Sequence, residues 1–127
     1  MSIIGIGIDI LSIERIKNIV LKLGEKLSHR ILSKYELNEY KRSSNPIIFL
    51  AKRFSVKEAA SKALGTGIKN GIKFNNFELY HNKLGKPHLR LFKKAKIIAK
   101  FLNINLIHVS LSDEKFYIST IVIAENK

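Results

Sequence analysis

Apolar positions along the chain change their spacing several times, and each change marks an element. Residues 3–10, IIGIGIDI, form a β-branched run with the pattern of a buried strand, in which Gly5 and Gly7 allow close approach of another backbone. After Ser12, which can cap a helix, Ile13, Ile16, Val20 and Leu23 recur at helical spacing, and Gly24 weakens or ends that helix. A second helical piece over 26–32 carries Leu27 and Ile31 at i and i+4. Ser33 and Glu36 have the spacing of a capping box and open a short helix to about Arg42. Asn45 and Pro46 then start the longest helix, which runs to Leu64 and is stopped by Gly65-Thr66-Gly67.

Two strands are expected over 74–81 and 87–91, joined by a turn at 82–86. A helix over 92–102 gathers Ala95, Ile98, Ala99 and Leu102 on one side. The last two strands, 105–111 and 116–124, flank the turn Ser112-Asp113-Glu114-Lys115 as a β-hairpin. There are no repeats and no long linker, so the pattern predicts one α+β domain over 1–127.

Composition narrows the picture. A chain of 127 residues with 46% hydrophobic content suits one core. The absence of cysteine excludes disulfides and thiolate metal sites, and no apolar run is long enough to span a bilayer. The start, MSIIGIGIDI, lacks the features of a signal peptide, so a soluble cytoplasmic protein with no membrane partner is expected. The formal charge of +13 favours acidic partners, although a composition rich in Lys, Ile and Asn throughout accounts for the excess equally well. Against that excess, the chain has only two aspartates, Asp9 and Asp113.

The candidate chemistry starts from Glu58, a carboxylate set among Phe54, Val56, Ala59, Ala60, Ala63 and Leu64 in RFSVKEAASKALGTG. Ser55 and Lys62 share its helix face, so one reading is a plain i,i+4 surface pair between Glu58 and Lys62. Asp9 favours the other reading, since a lone carboxylate near the end of a buried strand is costly unless neutralised. Two carboxylates from separate buried elements suit a hard cation held by oxygen, and magnesium, which keeps waters and takes substrate phosphates, fits best. Gly65-Thr66-Gly67 reads first as a helix C-cap and secondarily as an approach to a phosphate. Gly85-Lys86-Pro87 is a turn in which Lys86 could contact phosphate, and His108 could be a packed imidazole, a base or a phosphate ligand. GxxxxGK[ST] and GxGxxG are both absent, which removes the P-loop and dinucleotide-fold readings.

GIGIDILSIERI, RILSKYEL, RFSVKEAASKALGTGI, LGKP and HVSLSDEKFYISTIVI, in that order and nearly end to end, resemble the holo-acyl-carrier-protein synthase family, the small bacterial 4′-phosphopantetheinyl transferases. The resemblance implies an α+β domain with an antiparallel sheet packed with helices. It implies transfer of 4′-phosphopantetheine from coenzyme A to a serine of apo acyl carrier protein, and adenosine 3′,5′-bisphosphate as the other product. It places Asp9 and Glu58 at the magnesium, Lys62 at the coenzyme A phosphates, and Gly65 and His108 near the nucleotide and its 3′-phosphate. Arg15 and Arg30 fall in the region that meets the carrier protein, and a homotrimer with sites at subunit boundaries is implied. Asp113 stands where many relatives have His, which leaves that position's role open. The rival reading, a small basic nucleic-acid-binding module, lacks the aromatic-glycine motifs of such modules and gives no reason for Asp9 and Glu58. No nucleic-acid partner is therefore expected.

Overall fold

A computed structural model describes all of residues 1–127. Strand β1 (Ser2–Ser12) leads into helices α1 (Ile13–Leu23), α2 (Glu25–Ile31), α3 (Lys34–Lys41) and α4 (Pro46–Ala63). Then come β2 (Phe77–His81), β3 (Pro87–Leu91), α5 (Lys93–Phe101), β4 (Leu106–Asp113) and β5 (Tyr117–Asn126). The strands form two antiparallel sheets, a three-stranded one in the order β1-β5-β4 and the pair β2-β3. The expected α+β domain is present, with its strands divided between two sheets.

Helix α4 crosses the inner face of the larger sheet, and at two inward positions of β1, Gly5 and Gly7, there is no side chain to hold it off. A methyl group on Gly7 would overlap the Ala59 carbonyl, and one on Gly5 the Ala63 carbonyl. The two glycines thus let α4 lie directly on the strand backbone, as IGIGID suggests. Around this contact one apolar cluster joins Val56, Ala59 and Ala60 to Phe77, Leu79, Ala95, Ala99 and Val122. A second cluster gathers Leu11, Ile16, Ile31, Leu50 and Ile118 under the early helices.

Local signals hold at several boundaries. Ser33 and Glu36 form both bonds of the capping box, and Asn45 accepts from the Ile48 amide at 3.3 Å ahead of Pro46. Other expectations are corrected. Ser12 stands at the N-cap of α1 but makes no side-chain cap; the Ile13 amide donates instead to the Phe116 carbonyl at 2.9 Å. Residues Phe74–Asn76 are a 3₁₀ turn rather than strand, because the Asn76 side chain accepts from the Lys73 amide and closes the turn. The closing hairpin is longer than predicted and pairs out to Asp113 with Ile118.

The largest correction concerns β1, which is buried on one face only. Gly7 and Leu11 point inward, whereas Ile6, Ile8 and Ile10 are 57%, 63% and 72% exposed. Register continues this outer face across the sheet: Ile6 pairs with Ile123 and Ile8 with Ile121, and these pair with His108 and Ser110. A face of β-branched residues lies open to solvent in the single chain.

Candidate active site

Asp9 projects from the inner face of β1, directly opposite Thr120 of β5. Ser55, fully buried on α4, joins them: its hydroxyl donates to Asp9 Oδ2 at 2.9 Å and lies 2.9 Å from the Thr120 hydroxyl. The carboxylate is therefore braced before any ligand arrives. Lys62, one turn after Glu58, reaches back over β1, donating to the Ile8 carbonyl at 3.0 Å with its ammonium 3.6 Å from Asp9 Oδ1. The lysine pairs with Asp9, so the simple surface pair with Glu58 is not the arrangement formed.

Glu58 completes the group. Burial pushes its carboxyl pKa up, and the nearby charge of Asp9 pushes it the same way, while Lys62 and Arg15 pull it down. Glu58 is half-buried and near enough to Asp9 for their charges to oppose each other, a repulsion that a bound cation would relieve. No group of three His, Cys, Asp or Glu side chains gathers in the chain. A cation here would take two protein carboxylates and fill its shell with water and ligand oxygens, the donor set suited to magnesium.

Arg15 belongs closer to this group than its place in the sequence suggests. Its charge acts on Glu58, its guanidinium sits 6.0 Å from the centroid of Phe54, and it lines an open hollow of about 400 Å³ with Ser12, Asn18 and Lys22. Arg30 lines a different cavity, with Lys73 and Phe74. Gly65, at φ +77°, follows the end of α4 and borders a third cavity with Thr66, Lys69 and Lys94. Its positive φ is a conformation that glycine adopts at least cost.

Lys86 and His108 do not join the carboxylates. Lys86 is exposed in the β2–β3 turn, where its amide donates to Asn82 Oδ1 at 2.9 Å. His108 is an exposed residue of the outer face, with Nε2 2.6 Å from Glu125 Oε1, so it is not a packed core imidazole. Asp9 and His108 thus occupy opposite faces of one sheet. Asp113 sits 3.7 Å from the Lys52 ammonium, a partly exposed pair at the end of β4.

Two features escaped sequence reading. Thr120 braces Asp9 through Ser55, which only the β1–β5 register reveals. Lys57 and Glu36 are both fully buried and paired at 2.6 Å. Burial pushes the Lys57 pKa down, and Glu36 opposes that shift.

Comparison with known proteins follows this geometry. Residues 5–121 match the family model described as the 4′-phosphopantetheinyl transferase superfamily. The chain is 61% identical over 125 residues to a holo-[acyl-carrier-protein] synthase of Buchnera aphidicola from Schizaphis graminum, covering 98% of this chain and 99% of that one. Its fold is similar to the crystal structure of the holo-[acyl-carrier-protein] synthase of Neisseria meningitidis, with a TM-score of 0.92, 38% identity, and coverage of 98% and 99%. A holo-(acyl-carrier-protein) synthase of Bacillus anthracis, solved in complex with CoA (3′,5′-ADP), matches with a TM-score of 0.83 at 32% identity over 100% of both chains.

Proposed function

The chain belongs to the 4′-phosphopantetheinyl transferase superfamily, and from that membership we infer the following reading. It transfers the 4′-phosphopantetheine group of coenzyme A to a serine hydroxyl of an apo acyl carrier protein, leaving adenosine 3′,5′-bisphosphate. The observation that carries this reading is the convergence of Asp9, Glu58 and Lys62 where α4 lies on β1. Two carboxylates and an ammonium at one point form a phosphate-handling group, and the nucleophile comes with the partner.

In this reading Asp9 and Glu58 hold Mg²⁺, with Ser55 and Thr120 fixing Asp9. The ion, when bound, neutralises pyrophosphate oxygens and stabilises charge developing on the leaving nucleotide. Lys62 adds a positive charge on the solvent side, being half-exposed where Asp9 is nearly covered. The carrier's serine gives up its hydroxyl proton to solvent as its oxygen bonds to the phosphorus that bears pantetheine. The bond from that phosphorus to the bridging oxygen breaks, its electron pair leaving with adenosine 3′,5′-bisphosphate. Positioning is most of what the protein supplies to such a transfer.

The exposed isoleucine face supports a homotrimer. Ile6, Ile8, Ile10 and Ile121 form a contiguous apolar surface of the sort that marks a subunit contact. A neighbour packed there would cover His108, which could then serve a site whose carboxylates belong to another copy. Gly65 and Lys86 contact the nucleotide, and Arg15 and Arg30, on α1 and α2, meet an acidic carrier protein. No helix is long and apolar enough to cross a membrane, and the proposed place of action is the cytoplasm.

The test is mass spectrometry of an apo acyl carrier protein incubated with this chain, coenzyme A and Mg²⁺. One phosphopantetheine per carrier is expected, and excess chelator should abolish the gain. An unmodified carrier overturns the transfer reading, and transfer that persists in chelator overturns the metal reading.

A further inference from the structure

The contact that brings Glu58 to Asp9 is unusually smooth. Over Gly5 and Gly7, α4 presents Ala59 and Ala63, so this part of the contact is helix backbone on strand backbone. Side chains that interlock across an interface normally fix how a helix is turned about its own axis; over these two glycines there are none, and Ser55 and Lys62 bond to β1 only at the margins. Yet the turn matters greatly. A glutamate carboxylate lies about 6 Å from its helix axis, so rotating α4 by about 10° shifts Glu58 by about 1 Å. Displacements of that size can cost about 10²-fold in rate.

The opposite side of the helix carries a further, fully buried constraint. Lys57, the residue before Glu58, is fully buried, and its ammonium donates to the Ile31 carbonyl and to Glu36 Oε1, both at 2.6 Å. Glu36 is held in turn by the Ser33 amide at 2.9 Å on Oε1 and the Leu79 amide at 2.8 Å on Oε2. The lysine head is thereby tied to the end of α2, the first turn of α3 and strand β2. Ser55 adds a tether on the Asp9 side.

We propose that Lys57 and Glu36 are positioning residues that set the rotation of α4 and so hold Glu58 in register with Asp9 for the metal. A buried ion pair is poor grounds for stability, since apolar replacements often match it, but its directional bonds define one geometry. The inference rests on the metal reading given above.

The test uses Mn²⁺ as a spectroscopic substitute for Mg²⁺, with coenzyme A present and binding followed by electron paramagnetic resonance. Glu36→Gln with Lys57→Met removes both buried charges together. The folded double variant should bind Mn²⁺ at least tenfold more weakly than the parent and show a lowered kcat at saturating Mg²⁺. A role in stability alone would lower the unfolding midpoint and leave the Mn²⁺ affinity of folded molecules unchanged. That result overturns the proposal. Should the double variant not fold, Glu36→Asp serves instead, because it keeps both charges and shortens the reach by one methylene. It too should weaken Mn²⁺ binding, and parental affinity in it overturns the proposal. Absence of Mn²⁺ binding by the parent chain overturns the metal reading itself, a separate and distinguishable failure.

Discussion

Ser55 Oγ stands 2.9 Å from Asp9 Oδ2, and Ser55 precedes Glu58 by three residues on the same helix. One helical turn therefore supplies both a proposed metal ligand and the brace for the other. A hydrogen bond to a charged acceptor contributes about 1.5–3 kcal/mol. Ser55→Ala, with no volume added in a fully buried position, should raise the Mg²⁺ concentration for half-maximal transfer roughly tenfold, about 1.4 kcal/mol. Asp9→Ala should abolish transfer. Titrating Mg²⁺ against rate for both variants checks the order.

Glu58 gives a pH signature in the metal-free chain. Its pKa is raised by burial first and by Asp9 second. A carboxyl raised in the folded state is harder to ionise there than in the unfolded chain, where it titrates near about 4.3. Its contribution to stability is therefore lost as pH rises from that value through the raised folded one. Glu58→Gln should match the parent below about pH 4 and be the more stable of the two at neutral pH. Denaturant unfolding with chelator at both pH values measures this. A variant less stable than its parent at neutral pH would contradict it.

Gly7 tolerates no side chain. A methyl group there would overlap the Ala59 carbonyl, and neither strand nor helix backbone can yield cheaply. Gly7→Ala should cost roughly 3 kcal/mol or more, seen as a large fall in unfolding midpoint or as loss of soluble protein. Gly24→Ala meets no neighbouring atom, so its cost comes from positive φ and not from overlap, and the larger loss is expected at Gly7.

The outer sheet face predicts a change of assembly. Ile8→Lys places a charge at the centre of the apolar surface while leaving the inner packing of β1 untouched. Sedimentation should show a trimeric parent and a monomeric variant that has lost transfer while keeping its fold. A monomeric, active parent would remove the proposed subunit contact.

Arg15 and Arg30 should separate in their kinetics. Arg30→Glu should raise the KM for carrier protein roughly tenfold with little change in that for coenzyme A, since docking charges act on encounter and complex lifetime. Arg15→Glu should raise the KM for carrier protein and lower kcat as well, because its positive charge also acts on Glu58. Steady-state kinetics with each substrate varied in turn distinguishes the two patterns.

Most of this was legible where the governing interactions are local. The capping box at Ser33 and Glu36 and the Asn45-Pro46 start of α4 each express a short-range constraint, and each appears as expected; the glycines of β1 signal a close backbone approach but not which element makes it. Asp9 and Glu58 could be singled out because carboxylates among apolar residues demand compensation. The burial of β1 is misread because Ile6, Ile8 and Ile10, which share one face, look alike in sequence whether that face meets a core or lies open. Glu36 looked like a cap and nothing more; its partner Lys57 lies 21 residues away, a distance no local pattern spans. Thr120 became visible only with the strand register.

Glu36 Oε1 accepts from both the Ser33 amide and the Lys57 ammonium, so one oxygen closes the N-terminus of α3 and anchors the core of α4. The eight residues of α3 are few for a helix that must persist by itself. If its first turn unwound, the same event would strand a lysine charge in the interior. Local fraying is thus converted into a penalty on the whole molecule. The helix opens when the domain opens, and a short polar segment at the surface shares the cooperativity of the interior.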